Sequence, residues 1–261
     1  MSPMDGLLTA LHALACVYVI WRGIKLLSRY RENRTVIFFL FAVACILMSD
    51  LYWIAYDLLQ PEARMPFAAN EICEGASFLL LAACLTTVFF GRFGEVEKVE
   101  IGTAAFAAAN IILWIVWSGE WVQDILIGIA FGFLLCRTAA CLKLCGALQR
   151  REWIILAFLS GLLILLEVTA LFVPESATPL LDTLCSVLLL AGFAFFAAKT
   201  LRAIRSGGQE EQALTLSTAA FAWCLVTMYS TEGRWYLAAL LCAVGMMLLM
   251  LLAVEKEVDK L

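Results

Sequence analysis

Nine apolar runs, each about as long as a bilayer is thick, leave this chain little choice of fold. A transmembrane helix needs about 20 consecutive, mostly apolar residues. Runs of that kind occupy roughly 7–28, 35–59, 68–90, 101–118, 121–143, 153–173, 178–200, 212–230 and 235–254. In hydrocarbon every backbone N–H and C=O must be satisfied without water, so such runs fold as helices. The expected fold is all-α: a polytopic bundle of about nine spans in one integral membrane domain, residues 1–261. The eighth run is the weakest, being rich in Ala, Ser and Thr. Short loops predict that sequential spans pack as antiparallel neighbours. No basic residue precedes the first run and Asp5 is the only charge there, so it reads as a retained span and not as a cleaved signal peptide.

Charge sets the orientation. Sixteen of the eighteen Lys and Arg residues fall in alternate loops and span ends, from Arg22 through Arg92, Arg137 and Lys199 to Lys260. The intervening loops carry only Arg64 and Arg234. Cytoplasmic loops are enriched in Lys and Arg, so the N-terminus is expected outside and the C-terminus in the cytoplasm, in a plasma or inner membrane. Trp114, Trp117, Trp121 and Trp235 are expected as anchors at outer span ends, with Trp21 and Trp153 at inner ends. With 64% hydrophobic and 15% charged residues there is no room for a sizeable soluble domain, and no basic patch of the nucleic-acid type.

A candidate internal repeat lies in the outer loops. Pro61-Glu62-Ala63-Arg64-Met65-Pro66 and Pro174-Glu175-Ser176-Ala177-Thr178-Pro179 both read P-E-x-x-x-P. They suggest a 4+4+1 arrangement of spans over 1–118 and 119–232, although the spans themselves do not align. The ten cysteines all fall in apolar runs and read as small packing residues, not as a disulfide framework. Gly128-Ile129-Ala130-Phe131-Gly132 is a G-x-x-x-G that suits close helix packing or dimerisation. Asn110 is a candidate for bridging helices, and Arg137 for snorkelling to the cytoplasmic face.

The chemistry is concentrated in the acids. A charged group in the bilayer core costs about 2.5–3.5 kcal/mol on insertion scales, so embedded carboxylates need a reason. At 1.5 Å per residue, Asp50 and Glu167 lie roughly 8 Å below the outer boundary, Glu74 about 9 Å, and His12 at a similar depth. Asp57, Glu71, Asp124 and Asp182 lie nearer the outer surface, and the inner half holds no embedded acid. Asp50, Trp53 and Asp57 share one face of the second span; Asn70, Glu71 and Glu74 share a face of the third. These faces are expected to point at each other or at a cavity, forming an acidic ligand-binding pocket open to the extracytoplasmic side and lined by Asp50, Trp53, Asp57, Asn70, Glu71, Glu74 and Glu167. Its candidate occupants are a cation or a cationic or amphipathic small molecule, bound or transported. A divalent cation is the candidate cofactor, with His12, Asp50, Glu74 and Glu167 as metal ligands. The bland alternative keeps Glu71, Asp124 and Asp182 as early-turn acids complementing helix N-termini.

Two other functions compete. One is an intramembrane lipid hydrolase with Asp50 and Glu167 as its acid/base pair. Ser49-Asp50-Leu51-Tyr52-Trp53-Ile54-Ala55, followed by Pro61 and a small, apolar third span, resembles the S-D-x-x-L-A segment of the lysoplasmalogenase family over about forty residues. That resemblance implies a multi-span hydrolase of vinyl-ether lysolipids with essential intramembrane aspartates. The family's second aspartate motif is absent here, and Glu167 is the only candidate to replace it. The other is a sensor or assembly subunit, with a membrane-protein partner or a homodimer. No G-x-S-x-G, H-E-x-x-H, Walker A or G-x-G-x-x-G motif occurs.

Overall fold

The structure is a computed structural model that describes residues 3–59, 69–94, 98–119, 121–173, 178–230 and 234–259. It consists of nine helices among these residues: α1 Pro3–Arg29, α2 Arg34–Leu59, α3 Ala69–Val88, α4 Lys98–Ser118, α5 Trp121–Leu144, α6 Arg150–Ala170, α7 Thr178–Ser206, α8 Glu210–Ser230 and α9 Arg234–Val258. The described residues contain no strand. Both loops of the candidate repeat, including Arg64, fall almost wholly outside the described residues.

Local sequence explains the helix ends. The Asn33 side chain accepts from the Val36 backbone N–H at 3.1 Å, capping α2. Glu152 accepts from the Gln149 backbone N–H at 2.7 Å and closes the start of α6. At the end of α5, Gly146 takes φ +62, and Ala147 N–H returns to Leu142 O at 3.0 Å. That left-handed turn suits glycine, which has no Cβ to clash.

Eight of the nine helices are long and apolar enough to cross a membrane. The remaining helix, α8, has described side chains over residues 210–226, and its surroundings set it apart. It stands between α7 and α9 and also packs on α5 and α3. Residues 213–226 are buried without a break. A helix with no lipid face does not need a lipid-like composition, so Thr215, Ser217 and Thr218 are tolerated inside the bundle. Their hydroxyls return to backbone carbonyls of their own helix, Thr215 to Glu211 O at 2.7 Å and Thr218 to Leu214 O at 2.9 Å.

Most sequential helices pack together, the exceptions being α3 with α4 and α5 with α6. Instead α3 packs on α5, and α6 sits at the periphery against α7 and α4. Phe158 and Ile154 on α6 are exposed, as suits a lipid-facing helix. The G-x-x-x-G of α5 faces α4: a Cβ at Gly128 would come within 2.3 Å of Ile111, and one at Gly132 within 3.2 Å of Ala107. The motif therefore serves internal packing. Trp114 is buried against Phe131, ring centroids 6.0 Å apart, and is not an interfacial anchor. Asn110 donates to Phe106 O at 2.9 Å within its own helix and, among the described residues, makes no bridge to another.

Candidate functional site

The two ends of the bundle satisfy their acids differently. At the basic end, Arg22 pairs with Glu255 at 2.8 Å, Arg92 with Glu211 at 2.7 Å and Lys199 with Glu152 at 2.5 Å. The Tyr30 hydroxyl donates to Asp259 at 2.9 Å. At the other end, which the charge bias marks as outer, the partners among the described residues include a histidine and uncharged donors. The Ser49 hydroxyl donates to Glu74 at 3.0 Å, Gln123 Nε2 to Glu71 at 3.3 Å, and Ser118 to Asp124.

The centre of the outer end is a buried pair. His12 Nδ1 and Asp50 Oδ2 are 2.7 Å apart, with the two residues 5% and 8% exposed. An Nδ1–H donating to carboxylate, or a carboxyl O–H donating to bare Nδ1, both hold one proton in this contact. Helix geometry adds a third group. Cys16 lies one turn after His12 on the same face of α1, and its thiol is 3.9 Å from Asp50 Oδ2. His12, Cys16 and Asp50 are all buried, with one donor atom of each within 4.8 Å of the others. The helix α9 closes the group: Met247 Sδ is 3.9 Å from Cys16 Sγ. The centre therefore sits where α1 meets α2 and α9, helix pairs that pack directly.

A second polar cluster joins α2, α3 and α5. Ser49, adjacent to Asp50 in the chain, holds Glu74, while Glu71 and Asn70 are each 2% exposed. The Asn70 side-chain oxygen is buried without a hydrogen-bond partner among the described residues. Trp53 stacks edge-on with Tyr52 and Tyr56, centroids 6.3 and 6.1 Å apart. The Asp57 side chain lies outside the described residues.

The structure does not gather all the expected site residues. Glu167 lies on α6, whose packing partners are α7 and α4. There Glu167 and Asp182 both lie close enough to the Cys185 thiol to act on it electrostatically. Asp50 lies on α2, which is not among those packing partners. Among the described residues, Glu74 and Glu167 also stand outside the group that includes His12 and Asp50.

Two residues were missed by sequence reasoning. Cys16 carried a signal, the H-x-x-x-C spacing that puts it beside His12, but read as one of ten packing cysteines. Met247 carried none, because it arrives through the contact of the first helix with the last. At the basic end, a cavity of about 280 Å³ lies between α4 and α5, lined by Glu100, Arg137 and Lys143 among others. The Arg137 guanidinium lies 4.6 Å from the Phe93 ring and 5.3 Å from that of Phe133, the packing of a snorkelling cation. This cavity is remote from the His12–Asp50 pair. No protein-family model, curated protein or solved structure matches the chain.

Proposed function

We propose that this multi-pass membrane protein binds a cation from the extracytoplasmic side, at a buried site centred on Asp50. What supports the reading most is the His12–Asp50 contact, a titratable pair 2.7 Å apart inside a membrane bundle. Ionisable groups at such depth are expensive and mark ligand sites by default. The neighbouring Glu74 and Glu71 add acid on the same side of the membrane, with Ser49 and Gln123 among their partners. An acid-rich enclosure favours a positive ligand. The reading stops at binding, because the inner half of the sequence offers no relay of acids to carry a cation onward. A lipid hydrolase is supported less well, since Asp50 and Glu167 lie on helices that serve different parts of the bundle.

The test is thermal unfolding of the purified protein against a panel of mono- and divalent cations, chelator and lysolipids. A ligand that binds only the folded state raises its stability in proportion to occupancy. One cation is expected to raise Tm, with the shift lost in Asp50→Asn and kept in Asp124→Asn. Equal loss in both variants, or a shift with lysolipid alone, would overturn the reading.

A further inference from the structure

We infer that the ligand of the Asp50 site is a soft monovalent metal ion, Cu(I), held by Cys16, Met247 and His12 with Asp50 as the outer partner of the histidine. The inference rests on the cation-binding reading above and names its ligand class.

Donor chemistry carries the first step. Hard cations such as Ca²⁺ and Mg²⁺ take oxygen ligands, yet the atoms gathered here are a thiol, a thioether, an imidazole and one carboxylate. Thiolate and thioether together select Cu(I), whereas zinc sites draw on Cys, His and carboxylate. Met247 is therefore the discriminating residue.

Distances carry the second. Two sulfur ligands about 2.3 Å from one tetrahedral ion stand roughly 3.8 Å apart, and Cys16 Sγ and Met247 Sδ are 3.9 Å apart. Two N/O ligands about 2.0 Å from an ion stand roughly 3.3 Å apart. The 2.7 Å separation of His12 Nδ1 and Asp50 Oδ2 is instead that of a hydrogen bond. This is the arrangement in which a carboxylate fixes a ligating histidine through one ring nitrogen and leaves the other for the metal. The other nitrogen here, Nε2, is buried with no hydrogen-bond partner among the described residues.

Charge carries the third. Cu(I) binding breaks the Cys16 S–H bond, forms a Cu–S bond, and sends the proton to outer water. One positive charge replaces another, so the buried site keeps its net charge. A divalent ion would add a charge in a low-dielectric interior, where uncompensated charge is costly.

The experiment is equilibrium competition for copper in detergent. The full-length protein is titrated with Cu(I) under ascorbate, against a colorimetric Cu(I) chelator, and separately with Zn(II) and Ca(II). Wild type is expected to retain one Cu(I) per chain. Met247→Leu, which conserves volume, and Cys16→Ser are each expected to weaken Cu(I) retention by about tenfold or more. Asp50→Asn, an outer-partner change, is expected to cost about 10–100-fold. Metal-free unfolding of Met247→Leu, expected to match wild type, separates a lost ligand from a lost fold. Cu(I) retention unchanged in Met247→Leu or Cys16→Ser overturns the proposal. Asp50-dependent binding of Zn(II) or Ca(II) without Cu(I) also overturns it while leaving the cation reading intact. Binding of none of the three overturns the Cu(I) proposal, and the cation panel above then decides the cation reading.

Discussion

At the scale of single residues, His12 and Asp50 are held by each other. Each is almost fully buried, and each would leave the other without its 2.7 Å partner if removed. Leaving one buried polar partner unsatisfied costs about 1–3 kcal/mol, whereas replacing both by apolar groups of similar size is close to neutral. His12→Leu and Asp50→Leu are therefore each expected to destabilise the protein by that amount, and the double variant by less than their sum. A double-mutant cycle in reversible detergent unfolding measures the coupling; additive losses would show that the pair is not a unit. The residues of the centre were only partly legible in the chain. Depth could be counted from span ends, which set His12, Asp50 and Glu167 at one level. Direction around the bundle could not, because it depends on which helices are neighbours. That difference is what joins His12 to Asp50 and sends Glu167 toward Asp182 and Cys185 on α7.

At the scale of helices, hydropathy does not tell a lipid-facing helix from an enclosed one. It marks α6 and α9 alike, although α6 touches only the rim of the bundle and half of α9 is buried. The same distinction predicts where substitutions hurt. A Cβ at Gly192 on α7 would come within 2.2 Å of the Trp223 indole on α8, whose Nε1–H donates to Leu189 O at 3.2 Å. The ring is rigid and buried, so Gly192→Ala is expected to destabilise by about 1–3 kcal/mol through overpacking. A Cβ at Gly161 on α6 meets nothing within 4 Å. Gly161→Ala is expected to be neutral or to stabilise by up to about 1 kcal/mol through helix propensity. Denaturant midpoints for the two variants check this; a loss at Gly161 as large as that at Gly192 would show that α6 is packed more tightly than α8's neighbourhood implies.

At the scale of the whole molecule, ion pairs report whether the chain crosses an even or an odd number of times. Arg22 near the end of α1 meets Glu255 near the end of α9, and Tyr30 meets Asp259 just beyond each. Two helix ends can lie at the same face only if an even number of crossings separates them, a condition that eight crossings from α2 through α9 meet. That count includes α8, whose start is fixed to the same face by the Arg92–Glu211 pair. The positive-inside rule then assigns that face to the cytoplasm. Gln209, between α7 and α8, and Asp259, after α9, are expected on the cytoplasmic side, and Phe172, after α6, on the outer side. The ten native cysteines all lie within helices or the turn that closes α5, which allows single cysteines to be placed in the loops. An impermeant thiol reagent applied to intact cells is expected to label Phe172→Cys and to spare Gln209→Cys and Asp259→Cys until the membrane is opened. If Gln209→Cys and Asp259→Cys respond oppositely, α8 turns back within the bundle. The Asp50 site would then need a new frame, because α9 would enter from the other face and could not bring Met247 to Cys16 in the observed register.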